Sequence, residues 1–595
     1  MMLKKMKNGL EVEYSPSNPL SNSDPAPAEL NRRTVVLAKG SVHADGAFPL
    51  PCDIIADYDQ PIPMRDDVRL YADIFRPAGA GKVPALLVYT PYCKRGGWWN
   101  EHFNATKFGV SPSSLSGLQA FEAPDPGFWC DHGYAIVVVD AAGTTHSEGD
   151  QPFMGTASAE RVFDAIEHVA GLDWCSGRIG MAGNSQLGMI QWAVGALRPP
   201  HLAAIAPWEG LTDQYREVTL RGGILDMAFH DQAIAPFIFG KTDHEDILAN
   251  SLRYPLMNAY WEDKRPALDQ IDIPAYVVAS WTSPIHARGT LEGYRKISSK
   301  KKWLRVHNTQ EWLDLADPAN IADLKKFFDY YLKDIQNNWE ETPKVRLSVL
   351  DPGHEDIVNR PEAEWPLARQ QWQKLHIDAA AGRLTKEAPE KGVAEYVSDD
   401  VCSSMRFVME ADRDMEITGY LNLHLWVQAP DADDLDLFAA VYKEDANGKR
   451  LHHITLSSPG ARQWVESLEV DGTLPSTLSY TGPVGRVRVS HRALDPDLST
   501  PDEPVLSHRE EQRVPPGTIV PVNLSLWPTS MLVHAGESLV VEIAGHVTGP
   551  LTRKGLLLPG TELTLETRNS GRHRIHAGGE YDSFLQLPLI PQAAV

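Results

Sequence analysis

The chain has 595 residues, a formal net charge of −23 and five scattered cysteines. Its length is several times that of a usual domain and calls for two or three full-sized cores. The charge repels nucleic acid and anionic membrane surfaces. The cysteines, odd in number and without a CxxC pair, argue against a disulfide scaffold and a zinc site.

The first residues, MMLKKMKNGLEVEYSPSNPL, carry lysines with no apolar run behind them, unlike a secretory signal. No window reaches the length of an apolar membrane span. A soluble cytoplasmic protein with no nucleic-acid or membrane partner is expected, and a homodimer is left open. Residues 1–50, rich in Pro, Ser and Asn, read as an irregular arm. From 51 to 210 strands and helices alternate: VRLYADIFRP, PALLVYTPY and YAIVVVDAAG are strands, and SAERVFDAIEHVAGLDW follows as a helix. In that helix Val162, Phe163, Ile166, Val169 and Ala170 share a face. RIGMAGNSQLG, the helix MIQWAVGAL and the strand HLAAIAPWEG continue the pattern. Such alternation predicts a doubly wound α/β sheet with helices on both faces. Residues 211–270 are helix-compatible and read as a cap over the sheet's carboxyl edge. The sheet resumes over 271–343 with IPAYVVASW, KKWLRVH and the helix ADLKKFFDYYLKDI. From 344 to 595 alternating strands separated by Gly, Pro, Asp and Asn predict an all-β antiparallel sandwich.

Ser185 in GMAGNSQLG stands between a strand and a helix, with Gly183 two residues before it and Gly188 three after. This is close to the nucleophile elbow G-x-S-x-G, with the second glycine displaced by one position. Small flanking residues let a strained serine rise above the sheet edge, where amides at the helix's amino end can stabilise an oxyanion.

GRIGMAGNSQLGMIQW, together with VYTPYCKRGG, VVVDAAGTTHSEGD, LAAIAPWEG and the β-rich tail, resembles the CocE/NonD hydrolases, the cocaine esterase and X-Pro dipeptidyl-peptidase group. The resemblance spans roughly residues 55 to 590. It implies an α/β-hydrolase core, an inserted helical cap and a carboxyl-terminal jelly roll. It also implies Ser185 as nucleophile, with the Gln186 backbone N–H and the Tyr92 hydroxyl as oxyanion donors.

The family's acid, in a W-x-D turn, falls on Ser283, and its base, in a P-W-x-H turn, on Gln310 or Glu311. Two histidines lie at the carboxyl ends of adjacent strands, His307 after WLRV and His286 after YVVASW, and either is a candidate base. Glu209 in APWEG leads the candidates for the acid, with Glu311 and Asp314 behind it. Ala142 stands where the family carries an arginine after the aspartate, so Asp140 is expected to be structural. Trp98, Trp208 and Trp281 are candidates for an apolar substrate pocket. His244, among Asp243, Glu245 and Asp246, reads as part of a solvated helical face. No metal or cofactor is called for. The expected activity is hydrolysis of an ester or amide of a small, partly apolar molecule through an acyl-enzyme. The rival is a hydrolase fold repurposed as a cyclase, an isomerase or a ligand-binding pseudoenzyme.

Overall fold

The computed structural model describes residues 2–6, 9–23, 27–96, 108–227, 230, 234–456, 460–470, 478–548 and 565–591. These fall into two compact units. One comprises Met1–Asp213, His230–Asn250 and Ala259–Val345, and the other Gln214–Phe229, Ser251–Asn258 and Arg346–Val595.

The first unit is an α/β layer structure. Its strands in chain order are β1 (Met2–Lys5), β2 (Glu11–Pro16), β3 (Arg33–Leu37), β4 (Ile54–Pro63), β5 (Arg69–Pro77), β6 (Val83–Thr90), β7 (Ala135–Asp140), β8 (Cys175–Asn184), β9 (Leu202–Trp208), β10 (Asp243–Glu245), β11 (Ala275–Ser280) and β12 (Lys302–His307). The main sheet runs β12-β11-β9-β8-β6-β7-β5-β4-β3. It is parallel from β12 to β7 and antiparallel beyond, at β5, β4 and β3. Every residue of β6 and β7 is buried, which explains their unbroken apolar runs. The helix Gly155–Ala170 buries Val162, Ala165, Ile166 and Val169. Phe163, expected on that face, is only partly buried and carries the Arg65 guanidinium 5.2 Å over its ring.

Two sequence expectations change. The amino-terminal 50 residues are not wholly irregular: β3 extends the main sheet, and β1 and β2 form a small antiparallel sheet with β10. Residues 211–270 do not form a continuous helical cap. They hold short helices at Tyr215–Thr219, Ile247–Arg253 and Ala259–Asp263, and are divided between the two units. Pro236, Pro255, Pro266 and the Gly222–Gly223 pair account for the interruptions, because proline removes a helical donor and glycine favours other backbone angles. His244 and Glu245 are buried in β10 rather than solvated, and Glu245 accepts from the Tyr260 hydroxyl at 2.6 Å and pairs with Lys264 Nζ at 2.6 Å.

The second unit is an all-β domain. Its longest pairing joins Met415–Gln428 antiparallel to Val520–Val533. Leu421, Leu423, Leu425 and Val427 alternate into its core with Val522, Leu524 and Leu526. The chain thus combines an α/β unit with an all-β unit.

The sheet's parallel centre delivers β8, β9, β11 and β12 to one carboxyl edge, and β8 and β9 are locked by a backbone contact. A Cβ at Gly188 would lie 2.6 Å from the Trp208 carbonyl oxygen, and one at Gly210 would lie 2.8 Å from the Gly188 carbonyl carbon. Gly188→Ala must therefore displace backbone. A loss of about 1–3 kcal/mol is expected, read as a lower denaturation midpoint in guanidinium, while an alanine at the solvent-open Gly81 is the matched control.

Candidate functional site

At the end of β8 the chain turns sharply at Ser185, whose φ of 55° and ψ of −123° place it in a strained region for a non-glycine residue. The Ser185 N–H donates to the Trp208 carbonyl at 3.1 Å, and its own carbonyl accepts from the Gly188 and Met189 amides, opening the helix Gln186–Leu197. Gly183, at φ 140°, has no room for a side chain because Leu187 packs against it. The displaced glycine has the same kind of explanation: Leu187 fills a core site at the usual position, and Gly188 is the residue that meets Trp208. Ser185 is partly exposed, whereas its neighbours Asn184 and Gln186 are buried.

Tyr92 is buried and packs edge-on against Phe121, ring centroids 5.2 Å apart. Burial, reinforced by the nearby Glu122 charge, holds its phenol well above the usual range, while hydrogen bonding from Ser185 and Gln186 opposes that rise. The serine, the glutamine and the predicted oxyanion tyrosine are thus gathered at one place.

Three glutamates surround them. Glu122 Oε1 accepts from Asn184 Nδ2 at 3.1 Å and from Trp312 Nε1 at 2.9 Å. The same Asn184 amide donates to Glu311 Oε2 at 3.2 Å. Glu209 Oε1 lies 2.7 Å from His307 Nε2. Burial is the main cause pushing each of these carboxyls up to about 8, with added repulsion from Glu311 on Glu122, from Asp314 on Glu209 and from Glu209 on Glu311. Glu122 and Glu209, like Ser185, adopt positive φ, at 61° and 47°.

His307, one of the two candidate bases, and Glu209, the leading candidate acid, are therefore in direct contact. Burial pushes His307 down to about 4 and Glu209 up to about 8, and the two side chains meet in one buried hydrogen bond. The Nδ1 side faces Asp314 Oδ1 at 3.6 Å and the Thr309 hydroxyl at 3.4 Å. Burial opposes ionisation of Asp314, yet the bidentate Arg305 guanidinium at 2.7 and 2.5 Å holds it below its ordinary value. His286 precedes the helix Ala287–Lys296, is pushed down to about 3 by burial, and has an Nδ1 with no hydrogen-bond partner among the described residues. Among those residues neither imidazole hydrogen-bonds to Ser185, so the arrangement differs from the expected Ser–His relay. Ser283, in the family's acid position, lies close enough to Glu209 to lower its pKa against burial, and accepts from the His286 amide at 3.2 Å.

A cavity of about 580 Å³ shares Glu122, Gly183, Trp208 and Trp312 with the site. Trp281 is buried and does not line it, and Trp98 lies outside the described residues. Sequence reasoning missed Glu122 and Trp312: Glu122 sits in a loop of ordinary composition, and Trp312 gave no sign beyond its neighbour Glu311. Beside Ala142, Lys94 Nζ meets Asp140 Oδ2 at 2.8 Å and Asp59 Oδ1 at 3.3 Å, while its amide donates to Asp140 Oδ1 at 2.6 Å.

In the β-domain Asp351, His354 and His534 place possible metal-ligand atoms within 4.8 Å of one another. The buried Lys443 ammonium already neutralises the group, at 2.6 Å from Asp351 and 3.0 Å from Glu537, so a second cation is disfavoured.

A strained serine between strand and helix, with a phenol beside it at the carboxyl edge of a parallel sheet, defines the α/β-hydrolase class. The family model described as X-Pro dipeptidyl-peptidase (S15 family) matches residues 66–235, and that of the X-Pro dipeptidyl-peptidase C-terminal non-catalytic domain matches 337–586. A CocE/NonD family hydrolase from Staphylococcus aureus is 32% identical, superposes with a TM-score of 0.84, and is aligned over 94% of this chain and 98% of its own. The cocaine esterase of Rhodococcus sp. (strain MB1 Bresler) is 36% identical over 157 residues, 26% of this chain and 24% of that protein, so the match spans about a quarter of its length. An α-amino acid ester hydrolase, 15% identical with a TM-score of 0.62 over 90% of this chain and 97% of its own, shares the fold. The chain belongs to the CocE/NonD family of hydrolases.

The Lys94–Asp140 pair is almost wholly buried. Lys94→Met takes the ammonium from Asp140 and leaves it the amide of residue 94 and the Thr145 hydroxyl as partners. A loss of about 3–5 kcal/mol is expected, and a denaturation midpoint equal to that of the parent protein would refute this account of the brace.

Proposed function

We propose that the protein is a serine hydrolase that cleaves an ester or amide bond of a small, partly apolar molecule through an acyl-enzyme on Ser185. The observation that carries this reading is the strained, partly exposed Ser185 at the amino end of a helix, beside the buried Tyr92 phenol. In this reading Ser185 Oγ attacks the substrate carbonyl. The first-turn amide of Gln186, which has no partner within its helix, and the Tyr92 hydroxyl hold the resulting oxyanion. A phenol held well above its usual pKa stays a neutral donor throughout the working pH range. The neighbouring cavity, walled by Trp208, Trp312, Phe121 and Leu324, supports an apolar group on the substrate. The stretch shared with a cocaine esterase favours an ester. The chemistry needs no metal or cofactor.

A fluorophosphonate probe is expected to label Ser185 stoichiometrically and to abolish hydrolysis of p-nitrophenyl esters, and Ser185→Ala is expected to lose both labelling and turnover. Full turnover by the unlabelled alanine variant would end the serine-hydrolase reading. Tyr92→Phe is expected to lower kcat by about 100-fold or more while Ser185 remains in place. A change confined to KM would remove Tyr92 from the oxyanion role.

A further inference from the structure

We infer that Glu311, rather than either histidine, takes and returns the Ser185 proton; this rests on the serine-hydrolase reading above. Position is the first argument. Glu311 opens the helix Glu311–Ala316, directly after the turn that follows β12, and is tied to Asn184, the residue before the serine. The Tyr92 phenol that interacts with Ser185 also feels the charge of Glu311.

Accessibility is the second. Glu311 and Ser185 are both partly exposed, whereas His307 and His286 are 4% and 3% exposed. A group that exchanges protons with a substrate must reach it. Third, the imidazoles are committed elsewhere. His307 has Glu209 on one nitrogen and Thr309 and Asp314 near the other. His286 has only desolvation acting on it, with no carboxylate to stabilise an imidazolium.

The groups facing Glu311 come from every neighbouring element: Glu209 after β9, His307 at the end of β12, Asn184 at the end of β8, and Glu122 and Tyr92 from the loops beside them. Arg305, whose charge acts on His307, is occupied by Asp314. Burial followed by repulsion from Glu209 pushes Glu311 up to about 8, a value suited to accepting a proton near neutrality.

In acylation the Glu311 carboxylate accepts the Ser185 hydroxyl proton as Oγ bonds to the carbonyl carbon. It then gives that proton to the departing alcohol or amine as the carbonyl–heteroatom bond breaks. In deacylation Glu311 takes a proton from water as the water oxygen attacks the acyl carbon, and returns it to Ser185 Oγ as the acid leaves.

The test is kcat/KM for a p-nitrophenyl ester from about pH 5 to 10, with fluorophosphonate stoichiometry, for the full chain and for Glu311→Gln, Glu122→Gln and His307→Ala. The parent enzyme is expected to gain activity with rising pH through a midpoint near 8, because the base must be ionised. Glu311→Gln is expected to lose at least about 100-fold. Glu122→Gln, which removes a repelling charge, is expected to move the midpoint to lower pH, a shift that mere structural damage would not produce. Activity of Glu311→Gln within about tenfold of the parent would overturn the inference. So would a midpoint near the ordinary histidine value of about 6.5 that vanishes in His307→Ala. Labelling of Ser185 in the parent separates the two levels: a labelled enzyme indifferent to Glu311→Gln refutes the base alone, whereas failure to label with full turnover in Ser185→Ala refutes the serine reading.

Discussion

The site depends on a backbone conformation that Ser185 would not adopt by itself. A φ of 55° with a ψ of −123° costs on the order of 1–3 kcal/mol, and three neighbours hold it. The Trp208 carbonyl accepts the Ser185 amide, the Glu122 carbonyl accepts the Asn184 amide at 3.2 Å, and Gly188 seats against Trp208 and Gly210 without a side chain between them. The same contacts that lift the serine also fix the residues around it. Trp208 is followed by Glu209, and Glu122 supplies both a backbone acceptor and a carboxyl group. Strain at Ser185, Glu122 and Glu209 is thus one shared distortion in which chemistry-bearing side chains are delivered together.

The electrostatics of this edge are unusual because the carboxyls outnumber the cations. Arg305 is spent on Asp314, and among the described residues no lysine or arginine pairs with Glu122, Glu209 or Glu311. In such a setting the carboxyls keep protons that they would lose in water. The contact between Glu209 and His307 is a buried one, and burial opposes the charged form of both partners. This makes His307 a poor proton acceptor and a good fixed prop for Glu209, with Asp314 and Thr309 holding the far side of the ring.

The periodic parts of the molecule were legible in the sequence. Unbroken apolar runs predicted β6 and β7, because a strand covered on both faces has no reason to alternate, and glycines on both sides of Ser185 predicted the elbow. Alternation after residue 344 predicted the β-domain. The helical cap was misread because local composition tolerates helix at positions where proline and paired glycines break it, and tertiary contacts decide what replaces it. The site was legible one strand end at a time: Ser185, Tyr92, Glu209 and His307 each stood at a recognisable strand terminus. Which of them touch was not legible, since a sheet edge brings together residues with no fixed spacing in the chain. Glu122 gave no signal, as it sits on a loop and acts through a partner 62 positions away.

The Tyr92 side of the site is positioned by a separate device. Tyr92 and Lys94 lie two residues apart on the loop leaving β6, and Lys94 reaches the end of β7 through both its amide and its ammonium, each bound to Asp140. Arg95 ties the same loop to Asp73 on β5 and to Asp59 on β4. The phenol is therefore carried by a loop tied to three strands by charge pairs. Position 142 is a wholly buried alanine whose amide donates to the Tyr89 hydroxyl oxygen at 3.1 Å.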